Sequence, residues 1–261
     1  MSFKQALSKI PLIRMFVIKM LKIFNHDISI TNAYSGHKLK LNSYHHKSYW
    51  YFGREREMET MHLFSQYIHE GDTVIEAGGH IGFITQYFSK LVGSTGKVVV
   101  FEPGSNNVPY IEANIHSLQN VVLVCAAVSS KNGVAIFYED NITGQNNSLL
   151  SDYENAELVA KSHGENLIRT AREVELVTID SYVAGHSLIP DFLKIDVEGY
   201  ELDVLLGAQA TLRLIRSLMV EVTKQHEMVG TLLRNAGFKM FNEHGEKIDT
   251  ITFSGNVFAM R

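Results

Sequence analysis

A chain of 261 residues, 45% hydrophobic and 20% charged, is long enough to bury a sizeable core and too apolar to be disordered. Its net charge of −4 gives no general attraction to nucleic acid. The single cysteine, Cys125, excludes an intrachain disulfide and accords with a reducing, cytoplasmic setting.

The first 24 residues carry Lys4, Lys9, Arg14, Lys19 and Lys22 and no acid. From Leu12 to Phe24, Arg14, Lys19 and Lys22 share one arc of a helical wheel, opposite Leu12, Ile13, Phe16, Met20, Ile23 and Phe24. Such a helix either packs on the domain or lies on an anionic membrane surface, which leaves residues 1–24 open to peripheral membrane contact. Charges interrupt the apolar run and no small-residue cleavage site follows, so a secretory signal is not expected. No stretch reaches 18 uninterrupted apolar residues, the length of a standard membrane span.

Residues 27–52 read as short strands and turns rich in aromatics, and 54–69 as a helix ended by Gly71. Residues 1–70 thus form an N-terminal extension packing on a main domain of residues 71–261. In that domain the pattern predicts strand 73–77, helix 81–92, strand 97–102, helix 105–117 and strand 121–128, with an extra strand at 134–138. A polar stretch, 140–172, reads either as a surface insertion or as a substrate lid. Strands 174–179 and 192–197, helix 200–213, strand 217–222, helix 226–236 and strands 238–242 and 255–260 complete the chain. The alternation predicts an α/β, mainly parallel, doubly wound sheet. The last two strands, with no helix between them, predict an antiparallel edge hairpin.

Three clusters carry chemistry. In Asp72-Thr-Val-Ile-Glu-Ala-Gly-Gly-His-Ile-Gly82, a buried strand leads through a glycine turn into a helix whose free N–H groups face the turn. Gly78 and Gly79 let backbone approach a ligand closely. Glu76 would repel a pyrophosphate but can accept hydrogen bonds from an amine, which favours S-adenosylmethionine (SAM) over NAD. The absence of G-x-G-x-x-G points the same way. Next, Lys97-Val-Val-Val-Phe-Glu-Pro103 ends in Glu102, 24 residues after Gly78, where an acid binds ribose hydroxyls in doubly wound sheets. Third, Phe192-Leu-Lys-Ile-Asp-Val-Glu-Gly-Tyr-Glu201 sets Lys194, Asp196 and Glu198 on one face of a strand whose end borders the ligand crevice. One of these acids can act as a general base, with Glu221 of the next strand beside them. The alternative is that Asp196 and Glu198 only cap nearby amides. Asn146-Asn147-Ser148 is a candidate for binding acceptor hydroxyls. The twelve histidines are scattered without metal-ligand spacing, so no metal centre is expected. Mg²⁺ on the three acids is a variant that no spacing demands.

Together these motifs resemble the FkbM family of SAM-dependent methyltransferases, over roughly residues 44–242. Lys194-Ile-Asp-Val-Glu-Gly199 is the most distinctive match. Glu76 stands where the family usually has Asp, and Gly79-His80 where it has Ala-Asn. The resemblance implies a seven-stranded, Rossmann-like class I methyltransferase sheet of order 3-2-1-4-5-7-6. It implies SAM as cofactor, held by Glu76, Gly78, Gly79, His80, Gly82, Glu102 and Pro103. It further implies methyl transfer, often to oxygen, on a glycan or small hydroxylated metabolite. Two other classes remain open: an NAD-dependent dehydrogenase, and a non-catalytic module that keeps the fold.

Overall fold

The computed structural model describes residues 11–163 and 165–261. The first ten residues of the N-terminal extension lie outside that range. The chain continues as helix α1 (Pro11–Ile23), hairpin β1 (Asp27–Thr31) and β2 (Lys38–Asn42), and helices α2 (Lys47–Phe52) and α3 (Met58–Tyr67). Then come β3 (Thr73–Ala77), α4 (Phe83–Val92), β4 (Lys97–Phe101), α5 (Val108–Ile115) and β5 (Val121–Val124). A side sheet follows: β6 (Ala127–Val128), β7 (Gly133–Asp140) and β8 (Arg169–Val177), with α6 (Glu154–His163) between the last two. After α7 (Ile179–Gly185) the chain returns as β9 (Phe192–Ile195), α8 (Glu201–Leu206), α9 (Thr211–Leu214), β10 (Ser217–Val222) and α10 (His226–Asn235). It closes with β11 (Lys239–Phe241), β12 (Lys247–Ile248) and β13 (Gly255–Met260).

The central sheet has the order β12-β11-β13-β10-β9-β3-β4-β5. Strands β5, β4, β3, β9 and β10 run parallel, and β13 is antiparallel to both β10 and β11. Seven of the eight strands follow the expected order. Two expectations need correction. The two-residue β12 adds an eighth strand outside β11. The antiparallel C-terminal strand is not at the edge: β13 threads between β10 and β11, which buries Val257, Phe258 and Ala259.

Strand alternation divides the core between the two faces. Ile75, Val99, Leu193, Ile195, Leu218 and Val220 meet helices α7 to α10 on one side. Val74, Val98, Phe192, Met219 and Phe258 face α3, α4 and hairpin residues Leu39 and Leu41 on the other. Phe64 of α3 is fully buried, with ring centroids of Phe88, Phe258 and Phe192 at 4.8, 5.6 and 5.9 Å. Truncating so large a core ring costs about 3–5 kcal/mol. Phe64→Ala is therefore expected to lower the urea midpoint in a single transition; an unchanged midpoint would show that α3 is not part of the sheet's core.

Other differences from the expected elements have local causes. The 121–128 run splits at Cys125, and its second half joins the side sheet. The polar stretch 140–172 holds α6 and the start of β8, and β8 pairs with β7 rather than with the central sheet. The helix expected over 54–69 starts only at Met58, after a 3-10 turn at Gly53–Glu55 and a left-handed Glu57. In α1, Val17 and Ile23 are exposed, and Lys22 Nζ donates to Glu165 at 2.5 and 2.7 Å.

Candidate active site

Strand order reverses between β3 and β9, and in open α/β sheets ligands bind beyond the strand ends at such a switch point. A cavity of about 340 Å³ opens there. Its lining includes Glu76, Gly78, Gly79, His80, Glu102 and Pro103, and also Asp196, Glu198 and Glu221. Gly82 is not in the lining: it has a left-handed φ of 82° at the start of α4, close to Ile111 of α5. Its role is to start the helix.

The glycine turn is tight against the neighbouring strand. Gly78 has φ 90°, and a Cβ there would lie 1.8 Å from the Asp196 carbonyl oxygen. At Gly79 a Cβ would meet Val100 at 2.4 Å. His80 has φ 48°, a conformation that a non-glycine residue rarely adopts. Its ring is locked on both sides. Nε2 is 3.1 Å from the Thr143 carbonyl, which can only accept, so Nε2 donates. Nδ1 then accepts from the Tyr49 hydroxyl at 2.9 Å. Burial, with His46 nearby, holds the imidazole pKa well below its usual range. His80 is therefore a neutral brace between the N-terminal segment and the 140–148 loop.

Glu102 accepts from the His80 N–H at 2.7 Å, from Gly104 N–H at 2.9 Å and from Asn107 Nδ2 at 3.1 Å. Burial nonetheless raises its pKa to about 7. Glu76 is fully buried, and its Oε2 accepts from Thr85 at 2.7 Å. Burial outweighs the nearby Lys194 and raises its pKa to about 7 as well. Lys194, 2% exposed, donates from Nζ to the Gly78 carbonyl at 2.7 Å and pairs with Asp196 at 3.2 Å and Glu76 at 3.4 Å. Burial opposes its charge, but Asp196 and Glu76 prevail and raise its pKa. Sequence reasoning placed Lys194 on the face of the acids but assigned it no function. It is the cation that allows Glu76 and Asp196 to share one cavity.

Three acids crowd the ends of β9 and β10. Asp196 pushes the pKa of Glu221 well above the carboxylate range, and burial adds to the shift. Burial, then the charge of Asp196, raises Glu198 to about 8. The Glu198 carboxylate accepts from the Tyr153 hydroxyl, and its backbone carbonyl accepts from Ser148 Oγ at 2.7 Å. The amide at Gly199 is taken by Glu201 at 2.6 Å, so capping of this turn falls to Glu201 and not to Asp196 or Glu198. Asn147 also has a structural task, bridging the Asp140 N–H and Asn106. Asp140 in turn gathers the amides of Ile142, Thr143, Gly144 and Asn146 and shapes the loop over the cavity. Tyr153 and the loop contacts were missed in the sequence, because a polar stretch gives no sign of what it will cover.

Buried polar groups are normally paired, so the unpaired ones are informative. Among the described residues, five buried side-chain polar atoms lack a hydrogen-bond partner: Arg56 Nε, Glu76 Oε1, Asn107 Oδ1, Arg169 Nε and Asn256 Oδ1. All but Arg169 line this one cavity. Glu76 Oε1, ion-paired with Lys194 Nζ at 3.4 Å but without a hydrogen bond, suits an ammonium group, and Asn107 Oδ1, beside Glu102, suits a hydroxyl or amine donor. With the open backbone at Gly78 and Gly79, this end fits SAM.

The family model described as the methyltransferase FkbM domain matches residues 76–249. No curated protein matches the chain in sequence. A putative rRNA-methylase from Clostridium thermocellum aligns at 12% identity over 77% of this chain and 92% of its own, with a TM-score of 0.46. A SAM-dependent methyltransferase from Aquifex aeolicus aligns at 17% identity over 79% and 92%, with a TM-score of 0.41. A SAM-dependent O-methyltransferase from Thermotoga maritima aligns at 13% identity over 79% and 64%, with a TM-score of 0.41. The family match spans both the glycine turn and the Lys-Ile-Asp-Val-Glu-Gly strand end, and on that ground the chain belongs to the FkbM methyltransferases and is a SAM-dependent enzyme.

Proposed function

We propose that the enzyme methylates a hydroxyl oxygen on a sugar or another small hydroxylated metabolite. The observation that carries this reading is the acid cluster Asp196, Glu198 and Glu221 in the cavity that also holds the cofactor cradle. Bound SAM supplies an activated methyl group on a sulfonium, ready for in-line displacement. The chain's task is to hold and align the reactants and to accept a proton. Glu76 holds the amino group, the turn at Gly78 and Gly79 receives the methionine portion, and Glu102 faces the ribose hydroxyls.

A hydroxyl becomes a good nucleophile as its proton leaves. Asp196 is the open member of the cluster, its side chain 28% exposed, with Lys194 Nζ 3.2 Å away. The charge of Asp196, with burial, pushes the pKa of Glu221 beside it upward, and we assign the hydroxyl's proton to Asp196, the more open carboxylate. Glu198, whose carboxyl ionises at about pH 8, is the second acceptor.

A single positioned base contributes about 10²–10⁴-fold. Asp196→Asn is expected to lower kcat for labelled-methyl transfer by about 100-fold or more, with the calorimetric Kd for SAM within a few-fold of wild type. Wild-type kcat should rise with pH up to about 8, because the base form of Glu198 fills as its raised pKa is passed. Glu198→Gln should flatten that limb. Wild-type turnover in Asp196→Asn, Glu198→Gln and Glu221→Gln alike, at saturating SAM, would rule out the acid cluster as the base.

A further inference from the structure

Two of the unpaired atoms in the cavity, on Arg56 and Asn256, belong to residues outside the cofactor cradle. Along the sheet, the β4 and β3 side carries Asn107 and Glu76 at the cofactor end. Strands β9 and β10 follow, with Asp196 and Glu221. Beyond them lies β13, where Asn256 is the direct cross-strand partner of Glu221. Opposite residues in an antiparallel pair project on the same face with Cβ atoms about 5 Å apart. Asn256 Nδ2 donates to Thr60 at 3.0 Å, which leaves Oδ1 as a buried acceptor without a donor.

Arg56 lines the same cavity. Its Nη1 donates to Ser48 at 3.0 Å, its Nη2 pairs with Glu57 at 2.9 Å, and its guanidinium lies 4.2 Å over the Tyr49 ring. Those contacts fix the fork and leave buried Nε–H as a donor without an acceptor. The backbone is bent to place it: Arg56 is extended, and Glu57 is left-handed at φ 53°. Strain of this kind persists where surrounding structure imposes it and clusters at functional sites.

We infer that Arg56 and Asn256 form the acceptor subsite, and that it takes a pyranose-like ring carrying a second hydroxyl near the one that is methylated. A sugar hydroxyl both accepts and donates, so it answers the lone donor of Arg56 and the lone acceptor of Asn256. An isolated alcohol on an apolar scaffold would leave both buried atoms unpaired, which sites of this type reject strongly. This subsite rests on the O-methyl-transfer reading above, and it sets the body of the acceptor beside the acids.

The test uses the full chain. Methyl α- and β-pyranosides of glucose, galactose, mannose, fucose and rhamnose are offered with labelled SAM, alongside cyclohexanol, benzyl alcohol and phenol. Binding is read in parallel by calorimetry on enzyme loaded with S-adenosylhomocysteine. At least one pyranoside should bind and be methylated, in preference to the simple alcohols. Arg56→Lys keeps the charge but removes Nε–H. It and Asn256→Leu should each raise the acceptor KM about tenfold, with a smaller change in kcat and an unchanged Kd for SAM. A deoxy analogue lacking the contacted hydroxyl should lose about tenfold against wild type and nothing further against the variant that lost its partner. Unaltered KM in both variants overturns the subsite, as does the absence of both binding and turnover across the pyranosides. The two readings fail separately: a raised KM in Arg56→Lys beside wild-type kcat in the acid variants would keep the subsite and discard the base.

Discussion

Gly78→Ala is expected to abolish SAM binding and to destabilise the fold by several kcal/mol. Two costs combine at this position. The left-handed backbone, φ 90°, disfavours any residue with a Cβ by about 1–2 kcal/mol. The Cβ would also stand 1.8 Å from the Asp196 carbonyl oxygen, a clash that only backbone movement relieves. Neither strand can recede easily. The Asp196 N–H donates to Ala77 O at 3.0 Å, Gly78 N–H donates to Phe101 O at 3.0 Å, and Lys194 Nζ grips the Gly78 carbonyl at 2.7 Å. Overpacking of this sort adds about 1–3 kcal/mol. Relief would displace the turn from the cradle and Asp196 from the acids together. Gly36→Ala is the control, because Gly36 has φ 83° and nothing within 4 Å of where its new methyl group would stand, so it bears the backbone cost alone. Urea unfolding should show the larger loss in Gly78→Ala, and calorimetry should show SAM binding lost there and kept in Gly36→Ala. Wild-type SAM affinity in Gly78→Ala would mean that the turn does not approach the cofactor.

This turn was legible in the sequence because its cause is local. Short β-branched runs such as Val98–Val99–Val100, bounded by turn residues, read as buried strands, and an acid or glycine ending such a run lies at the sheet's C-terminal edge. By that logic Glu76, Glu102, Asp196 and Glu221 could be brought to one crevice from the sequence alone. The rest of the cavity had no such signal. Arg56 sits in a segment whose apolar spacing reads as continuous helix, and the left-handed Glu57 that breaks it has a residue type that gives no warning. Asn256 reaches the acids only because β13 inserts beside β10, a long-range pairing of Glu221 with Asn256 that local patterning does not encode. Tyr153 reaches Glu198 from an insertion whose composition says only that it is polar. Side chains set by strand ends were readable; those delivered by long-range pairing or by an unusual φ were not.

Lys194→Met should produce the second large effect, and its dependence on pH identifies the cause. Removing one member of a buried ionic cluster costs about 3–5 kcal/mol when the partner charge stays behind unpaired. Here the abandoned groups are Glu76, fully buried at 3.4 Å, and Asp196 at 3.2 Å. Glu76 can escape the penalty by binding a proton. Its folded pKa, about 7, already exceeds the ordinary carboxylate value, chiefly through burial. A raised folded pKa means that the folded state binds more protons than the unfolded one, so Glu76 lowers stability as pH climbs from the ordinary carboxylate pKa to about 7. Without Lys194 that pKa rises further, and the window of declining stability extends upward. The variant's deficit in urea titrations should therefore widen by about 1–1.5 kcal/mol between about pH 5 and about pH 8, the part of Glu76 ionisation that lies above its wild-type pKa of about 7. Adding Glu76→Gln should recover part of the loss at about pH 8 and little at about pH 5, since an amide needs no countercharge. The cofactor reports the same ionisation. The ammonium of SAM prefers the carboxylate form of Glu76, so wild-type affinity should strengthen as pH rises through about 7 and the variant's should strengthen only at higher pH. A stability deficit that is constant from about pH 5 to 8 would instead assign Lys194 a packing role, and the charge it shares with Glu76 and Asp196 would not be what holds the strand ends together.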